Sequence, residues 1–116
     1  EPIDDRPSGT DDTDQEGYLY SFRGDSPPKP IINFDLKQYF PREARRANIQ
    51  SKTVIVQILV DEYGTLNNAA VISGRAGYGF EEAALQIVKR ARFRPGYVKG
   101  KPVRMVHKLP IKFVLE

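Results

Sequence analysis

The sequence predicts an α+β fold. A three-stranded antiparallel sheet carries one main helix on one face together with a short N-terminal helix, and a disordered tail precedes them. Three observations predict this fold. A strand of alternating residues lies in the middle of the chain, a second such strand ends it, and an amphipathic helix separates the two. The predicted order of elements is α-β-β-α-β.

Charge divides the chain into two parts. Residues 1–30 carry eight acidic and three basic residues, a net charge of −5, whereas residues 31–116 carry seven acidic and fifteen basic residues, a net charge of +8. We therefore interpret residues 1–30 as an acidic, proline-containing flexible linker and residues 31–116 as the folded domain. The absence of cysteine excludes a disulfide and a thiolate metal site. Because the chain does not begin with Met and shows no signal-peptide or membrane-span pattern, we expect it to be a fragment of a longer protein.

One short segment of the acidic part has strand-like composition. Tyr18, Tyr20 and Phe22 alternate with other residues, as in a strand with one apolar face. Two interpretations are open. In the first, the segment is an apolar patch in a disordered tail. In the second, it is a strand that folds back onto an open sheet edge, where it competes with a partner or exchanges between two chains.

The first half of the folded part contains a short helix and two strands. Phe40–Asn48 is predicted to be helical, with a proline at its first position and an asparagine at its end. Thr53–Val60 has apolar residues on both faces, which is typical of a central strand. Residues 61–64 predict a tight hairpin turn with glycine where a positive φ is needed, and a second strand follows from Thr65 to about Ser73.

The main helix is predicted over Phe80–Phe93. Apolar residues at i, i+4, i+7, i+8 and i+11 form one stripe along it. Acidic residues in its first turn and basic residues in its last turn both suit the helix dipole. The stripe consists of Phe80, Ala84, Ile87, Val88 and Ala91.

The last strand is predicted over residues 103–115, with alternating faces. Pro110 indicates that this strand lies at a sheet edge, because proline cannot donate a ladder hydrogen bond. A right-handed crossover from the helix would return it beside the first strand. An open edge is either protected or used to accept a strand from a partner. The apolar face carries Val103, Met105, His107, Leu109, Ile111, Phe113 and Leu115.

A set of ordered short motifs runs from about Gln38 to Leu115. Its members are Phe40-Pro41, Ala44-Arg45, Ile49, Val54, Val56, Ile58, Val60-Asp61, Gly64, Leu66, Ser73-Gly74, Phe80-Glu81, Ala83-Ala84-Leu85, Phe93, Pro95, Gly100, Pro102-Val103, Leu109-Pro110-Ile111 and Phe113. In order and spacing together they resemble the C-terminal domain of TonB-type energy transducers. The chain departs from the family pattern at Phe40, where Tyr is usual, at Tyr63, where an acid is usual, and in having no glycine before the first strand.

The resemblance implies a non-enzymatic role without a cofactor. TonB-like proteins are anchored in the inner membrane of Gram-negative bacteria by an N-terminal helix and cross the periplasm on a proline-rich spacer. Their C-terminal domain captures the box segment of a TonB-dependent outer-membrane transporter by strand addition. An ExbB–ExbD-like motor pulls through them for uptake of iron chelates, vitamin B12 or similar cargo. Strand exchange between two chains leaves a homodimer open as an assembly.

The resemblance also implies where the partner binds. Backbone groups between Arg104 and Ile111 would form main-chain hydrogen bonds that tolerate many partner sequences. Basic residues there and on the short helix would attract acidic transporter surfaces. The expected partner-binding residues are Phe40, Pro41, Arg42, Arg45, Arg104, Met105, Val106, His107, Lys108, Leu109 and Ile111.

The sequence bears on three other functions. Residues 77–80 match the centre of the aromatic signature of RNA-recognition motifs, but Phe80 belongs to the helix stripe and the two glutamates after it repel phosphate. His107 has no second histidine and no cysteine to complete a metal site, and no catalytic constellation is present. The remaining alternative is a TonB- or TolA-like adapter of another envelope-spanning machine, serving motility or envelope integrity.

Overall fold

The computed structural model describes residues 18–20 and 24–115. A 3₁₀ turn at Leu36–Tyr39 precedes the first helix. The helices are α1 (Arg42–Arg46) and α2 (Phe80–Arg90), and the strands are β1 (Leu19–Tyr20), β2 (Lys29–Ile31), β3 (Ser51–Val60), β4 (Leu66–Val71), β5 (Arg92–Arg94), β6 (Gly96–Val98), β7 (Lys101–Val103) and β8 (Met105–Val114).

The main sheet has the strand order β1-β8-β3-β4. β3 and β8 pair antiparallel over their whole length, from Ser51 opposite Val114 to Val60 opposite Met105. β4 pairs antiparallel with the other side of β3. The last strand therefore returns beside the first long strand, as the crossover rule predicts.

The main sheet has four strands, and the prediction of three was wrong, because β1 pairs parallel with β8. Two small two-stranded sheets, β2–β5 and β6–β7, were also not predicted. Of the two interpretations left open for the segment around Tyr18 and Tyr20, the structure supports the strand that folds back onto a sheet edge, over Leu19–Tyr20. Residues 1–17 and 21–23 of the predicted flexible tail lie outside the described residues, and Phe22 is among them.

The core lies between α2 and one face of the main sheet. Phe80, Ile58 and Ile87 are almost completely buried there. The Phe80 ring meets the Phe40 ring edge-on at 5.7 Å and the Phe113 ring at 5.3 Å between centroids. These aromatic contacts join α2 to the start of α1 and to the end of β8.

Both helices are shorter than predicted. Asn48 takes a positive φ of 58° just after α1, the left-handed conformation in which asparagine often ends a helix. Pro41 lies at the N-cap of α1, one position before the first helical residue. α2 ends at Arg90 because Arg92–Arg94 form β5 and pair with β2, which buries Phe93.

Candidate functional site

The outer edge of β8 carries the backbone groups that a partner strand would meet. The Leu115 N–H donates to the Gln50 carbonyl at 2.8 Å, so the backbone N–H and carbonyl groups of the odd-numbered residues point toward β3. The Arg104 carbonyl accepts a hydrogen bond from the Leu19 N–H at 3.0 Å, so the backbone N–H and carbonyl groups of the even-numbered residues point away from β3. This alternation is a property of every antiparallel pair. The outward positions within β8 are Val106, Lys108, Pro110, Lys112 and Val114.

Pro110 occupies one of these outward positions. Its ring nitrogen has no hydrogen, so the edge lacks a donor there without any loss to the β3–β8 ladder. In the part of the chain that the structure describes, β1 alone pairs with this side of β8, at Met105 and Val106. The start of β8 therefore lies inside the sheet between β1 and β3, which corrects the edge position inferred from Pro110, whereas beyond Val106 no described strand pairs with its outer side.

The expected partner-binding residues of β8 divide into two sets by face. Met105, His107, Leu109 and Ile111 lie on the face covered by α2, and their register partners on β3 are core residues. Met105 is fully buried and Ile111 is 6% exposed, so their side chains belong to the core. The backbone N–H and carbonyl groups of Val106 and Lys108 instead point away from β3. Their side chains lie on the face of the sheet opposite α2.

His107 lies opposite Ile58 on the core side of the ladder. Burial lowers its pKa below the ordinary value of 6.5, so the imidazole is neutral at neutral pH. Within residues 18–20 and 24–115, no three His, Cys, Asp or Glu side chains lie close enough together to hold a metal ion.

Tyr18 covers the start of the same edge from the outer face. Its side chain is 5% exposed and packs with Leu59 and Val106. Its hydroxyl accepts a hydrogen bond from Asn67 Nδ2 at 2.7 Å, and the Arg104 guanidinium lies 5.7 Å from its ring centroid. We call the space that these four neighbours form around the ring the Tyr18 slot.

A β-bulge places Asn67 in this slot. The β3–β4 register shifts between Leu59, which pairs with Asn68, and Val60, which pairs with Leu66. Asn67 is left without a ladder partner, and its side chain reaches the outer face of the sheet. Bulges commonly re-aim a side chain in this way. The strand predicted from Thr65 to about Ser73 runs through this position, and the sequence did not reveal the bulge.

Arg104 is already paired within the domain. Its Nε lies 3.2 Å from Glu62 Oε1 in the β3–β4 hairpin, and half of its side chain is exposed. The hydrogen bond to Glu62 and the charge of that carboxylate raise the pKa of Arg104. Sequence reasoning missed Glu62, because the two residues lie 42 positions apart. Such an exposed pair contributes little to stability.

The second group of expected site residues lies at the far end of β8. Phe40 is buried, and the Arg45 guanidinium lies 5.5 Å from its ring centroid. Arg42 and Arg45 are exposed on α1. A groove beside them is lined by Asp35, Leu36, Lys37, Phe40, Lys112, Phe113 and Val114.

The two groups do not form one pocket. Val106 and Phe113 are separated along β8 by roughly 23 Å at about 3.3 Å per residue. Pro41 packs toward the start of α2, where a Cβ on Gly79 would lie 3.3 Å from it. The expected residues of β8 therefore extend along the strand from its start to Ile111, and Phe40 with the arginines of α1 lies beside its far end.

The RNA-recognition interpretation lacks its structural context. Gly77, Tyr78 and Gly79 all have positive φ, at 73°, 56° and 84°, and form the turn that enters α2. The aromatic signature requires a central strand with bases stacked on alternate residues. Phe80 is instead fully buried in the core.

Neither helix of the described chain has the length and apolar run that a membrane crossing requires.

Comparison with known proteins agrees with the geometry. Residues 37–115 match the family described as Gram-negative bacterial TonB protein C-terminal. A protein TonB from Vibrio cholerae serotype O1 is 28% identical over 86 residues, which are 74% of this chain and 35% of that relative. The chain thus spans about a third of the length of this relative. The family match runs from the 3₁₀ turn to the end of β8, and the chain belongs to the C-terminal domain family of Gram-negative TonB proteins.

Proposed function

We propose that this chain is the periplasmic domain of a TonB-like energy transducer and that it captures the box segment of a TonB-dependent outer-membrane transporter by strand addition to β8. The observation that carries the proposal is the β1–β8 pairing, since a short extended segment already occupies the outer edge of β8. An edge that accepts one strand has the backbone geometry to accept another.

Main-chain hydrogen bonding accounts for broad partner choice. The outward N–H and carbonyl groups of Val106 and Lys108, with the Pro110 carbonyl, bond to any extended backbone whatever its side chains. Lys108 and Lys112 are exposed on the outer face beside this edge. Their charges favour an acidic partner mainly by accelerating encounter.

A strand bound along β8 also suits the transmission of force. β8 is held to β3 by a ten-residue ladder, so a pull along the bound strand is shared among many hydrogen bonds. The work would come from the proton motive force through an ExbB–ExbD-like inner-membrane motor, and the cargo would be iron chelates, vitamin B12 or similar molecules. The acidic segment of residues 1–30 would lead from the inner-membrane anchor to the domain that meets the transporter, and its β1 and the start of β2 pair with strands of that domain.

An amide NMR titration of the ¹⁵N-labelled chain with transporter box peptides tests the proposal. We expect the largest shifts at Val106 and Lys108, whose N–H groups point outward, and smaller shifts at their odd-numbered neighbours. Shifts at the groove beside Phe40 would show that the peptide reaches the far end of the strand. Absence of shifts with every box peptide, in a folded sample, would refute transporter capture and favour an adapter of another envelope machine.

A further inference from the structure

The edge proposed for partner capture is not empty in the isolated chain. Leu19 pairs with Met105 and Tyr20 pairs with Val106, in parallel orientation. The Leu19 N–H donates to the Arg104 carbonyl, one of the outward groups that a partner strand would use. The chain thus supplies its own strand to the first part of the edge.

Tyr18 anchors this internal strand. Its ring is almost as buried as the core residues, although it lies on the outer face of the sheet, opposite α2. Apolar contact with Leu59 and Val106 is combined with the hydrogen bond from Asn67. Large aromatic side chains with a polar tip suit such half-apolar positions.

We propose that Tyr18–Tyr20 is a built-in competitor for the partner-capture edge, and that a partner strand displaces it by strand exchange and places an aromatic or large apolar side chain in the Tyr18 slot. This inference rests on the proposed function. It adds that the free domain resists partner strands and names the side-chain class that the edge selects.

The competition favours a longer strand. β1 covers two residues of β8, whereas the outward groups of Lys108, Pro110 and Lys112 continue along the strand beyond it. A partner that fills the Tyr18 slot and also pairs with these groups forms more hydrogen bonds than β1. A short or poorly matched segment does not, so the internal strand protects the edge from non-specific pairing.

Release of Tyr18–Tyr20 leaves the rest of the N-terminal segment in place. β2 pairs with β5, and the Tyr97 N–H donates to the Ser26 carbonyl at 2.9 Å. Gly24 and Gly96 both pack against Met105, because a Cβ on either would overlap its side chain. The displaced strand is therefore retained beside its site and can rebind when the partner leaves.

The test compares box-peptide affinity among variants of the full chain by fluorescence anisotropy. Leu19→Pro removes the N–H that donates to Arg104, and Tyr18→Ala empties the slot. Tyr63→Ala is the matched control, because Tyr63 is 85% exposed on the hairpin. We expect Leu19→Pro to tighten binding by about tenfold or more, since apparent affinity scales with the fraction of chains whose edge is free. Tyr63→Ala should leave the affinity unchanged.

A cross-link gives the opposite perturbation. The chain has no cysteine, so a Tyr20→Cys/Val106→Cys pair forms a single disulfide. Adjacent strands lie about 4.8 Å apart, within the range that a disulfide spans. We expect the oxidised form to lose box binding and the reduced form to regain it. Equal box affinity in the wild type, Leu19→Pro and oxidised forms would overturn the inference and leave strand capture standing.

A synthetic peptide copied from residues 15–23 of this chain separates failure of the two proposals. It should bind the Leu19→Pro chain at the β8 edge and bind the wild-type chain at least tenfold more weakly. If no box peptide binds any form while this peptide behaves as expected, the proposed function fails and the internal strand stands. If this peptide binds neither form, the internal competitor is refuted.

Discussion

The Tyr18 hydroxyl accepts a hydrogen bond of 2.7 Å from the Asn67 side-chain amide, and 49 positions of the chain separate the two residues. Tyr18 precedes β1 at one edge of the main sheet, and Asn67 lies in β4 at the other. The bond therefore crosses the outer face above β8 and β3, and it links the N-terminal segment to the bulge beside the hairpin.

Removal of this bond should loosen the internal strand without disturbing the core. Tyr18→Phe and Asn67→Ala should each cost about 1 kcal/mol of unfolding free energy, because each deletes one partner of a part-buried hydrogen bond. The two effects should not add in the double variant, since both remove the same bond. Urea denaturation of the two single variants and the double variant measures this. Additive losses would show that the two groups do not interact in solution.

The outward N–H of Lys108 should matter to partner binding and not to folding. Lys108→Pro removes this donor at a position equivalent to Pro110, where the structure already accommodates a proline in the same register. Compared with Lys108→Ala, which removes the charge alone, it should weaken box binding by about 1 kcal/mol, or roughly fivefold in Kd. Anisotropy titrations of both variants, with thermal unfolding as the check on folding, provide the comparison. Equal affinities would place the bound strand elsewhere.

Gly64 should be the least replaceable glycine of the hairpin region. Its φ is +82°, and a Cβ there would lie 2.5 Å from the Phe93 carbonyl oxygen, which belongs to the backbone and cannot rotate away. Gly100 has a similar φ of +78° and nothing within 4 Å of its Cβ position, so it is the matched control. Gly64→Ala should therefore destabilise the domain by about 2 kcal/mol more than Gly100→Ala, the usual cost of overpacking. Guanidinium denaturation measures both, and equal losses would show that the contact with β5 is not rigid.

Stability should fall as the pH is lowered through about 6.5 because of His107. Burial lowers its pKa in the folded state below the 6.5 of the unfolded chain, so the unfolded state binds the proton more readily. Above this range the His107 imidazole is neutral in both the folded and the unfolded state, so it has no effect on stability. His107 is the single histidine of the chain, so His107→Phe should flatten the dependence between pH 7.5 and 5.5.

Urea denaturation at several pH values checks the sign for both proteins. A wild-type stability that rises on acidification within this range would contradict the burial of a neutral imidazole. A second decline is expected at lower pH, where Glu81 protonates. Hydrogen bonds from the Ala76 and Gly77 backbones hold the pKa of Glu81 below its ordinary 4.5, so its contribution is present above that value and lost as the pH falls further.

The sequence by itself determined the elements whose signals are local and repeated. The helical stripe of α2 and the alternation of β3 and β8 each extend over ten or more residues, which is enough to fix both the type of element and its buried face. Gly64 marked the hairpin because a positive φ is a local requirement. The crossover rule then placed β8 beside β3, and Pro110 marked the outward edge.

Only the tertiary structure decided what covers that edge. β1 is two residues long and pairs with residues more than eighty positions away. Its position on the sheet is stabilised by the contacts of Tyr18 with β8, β3 and β4. The same holds for Arg92–Arg94, which leave the helical pattern because β2 pairs with them. Short strands have weak intrinsic preferences, so the partner that they bury against decides whether they form.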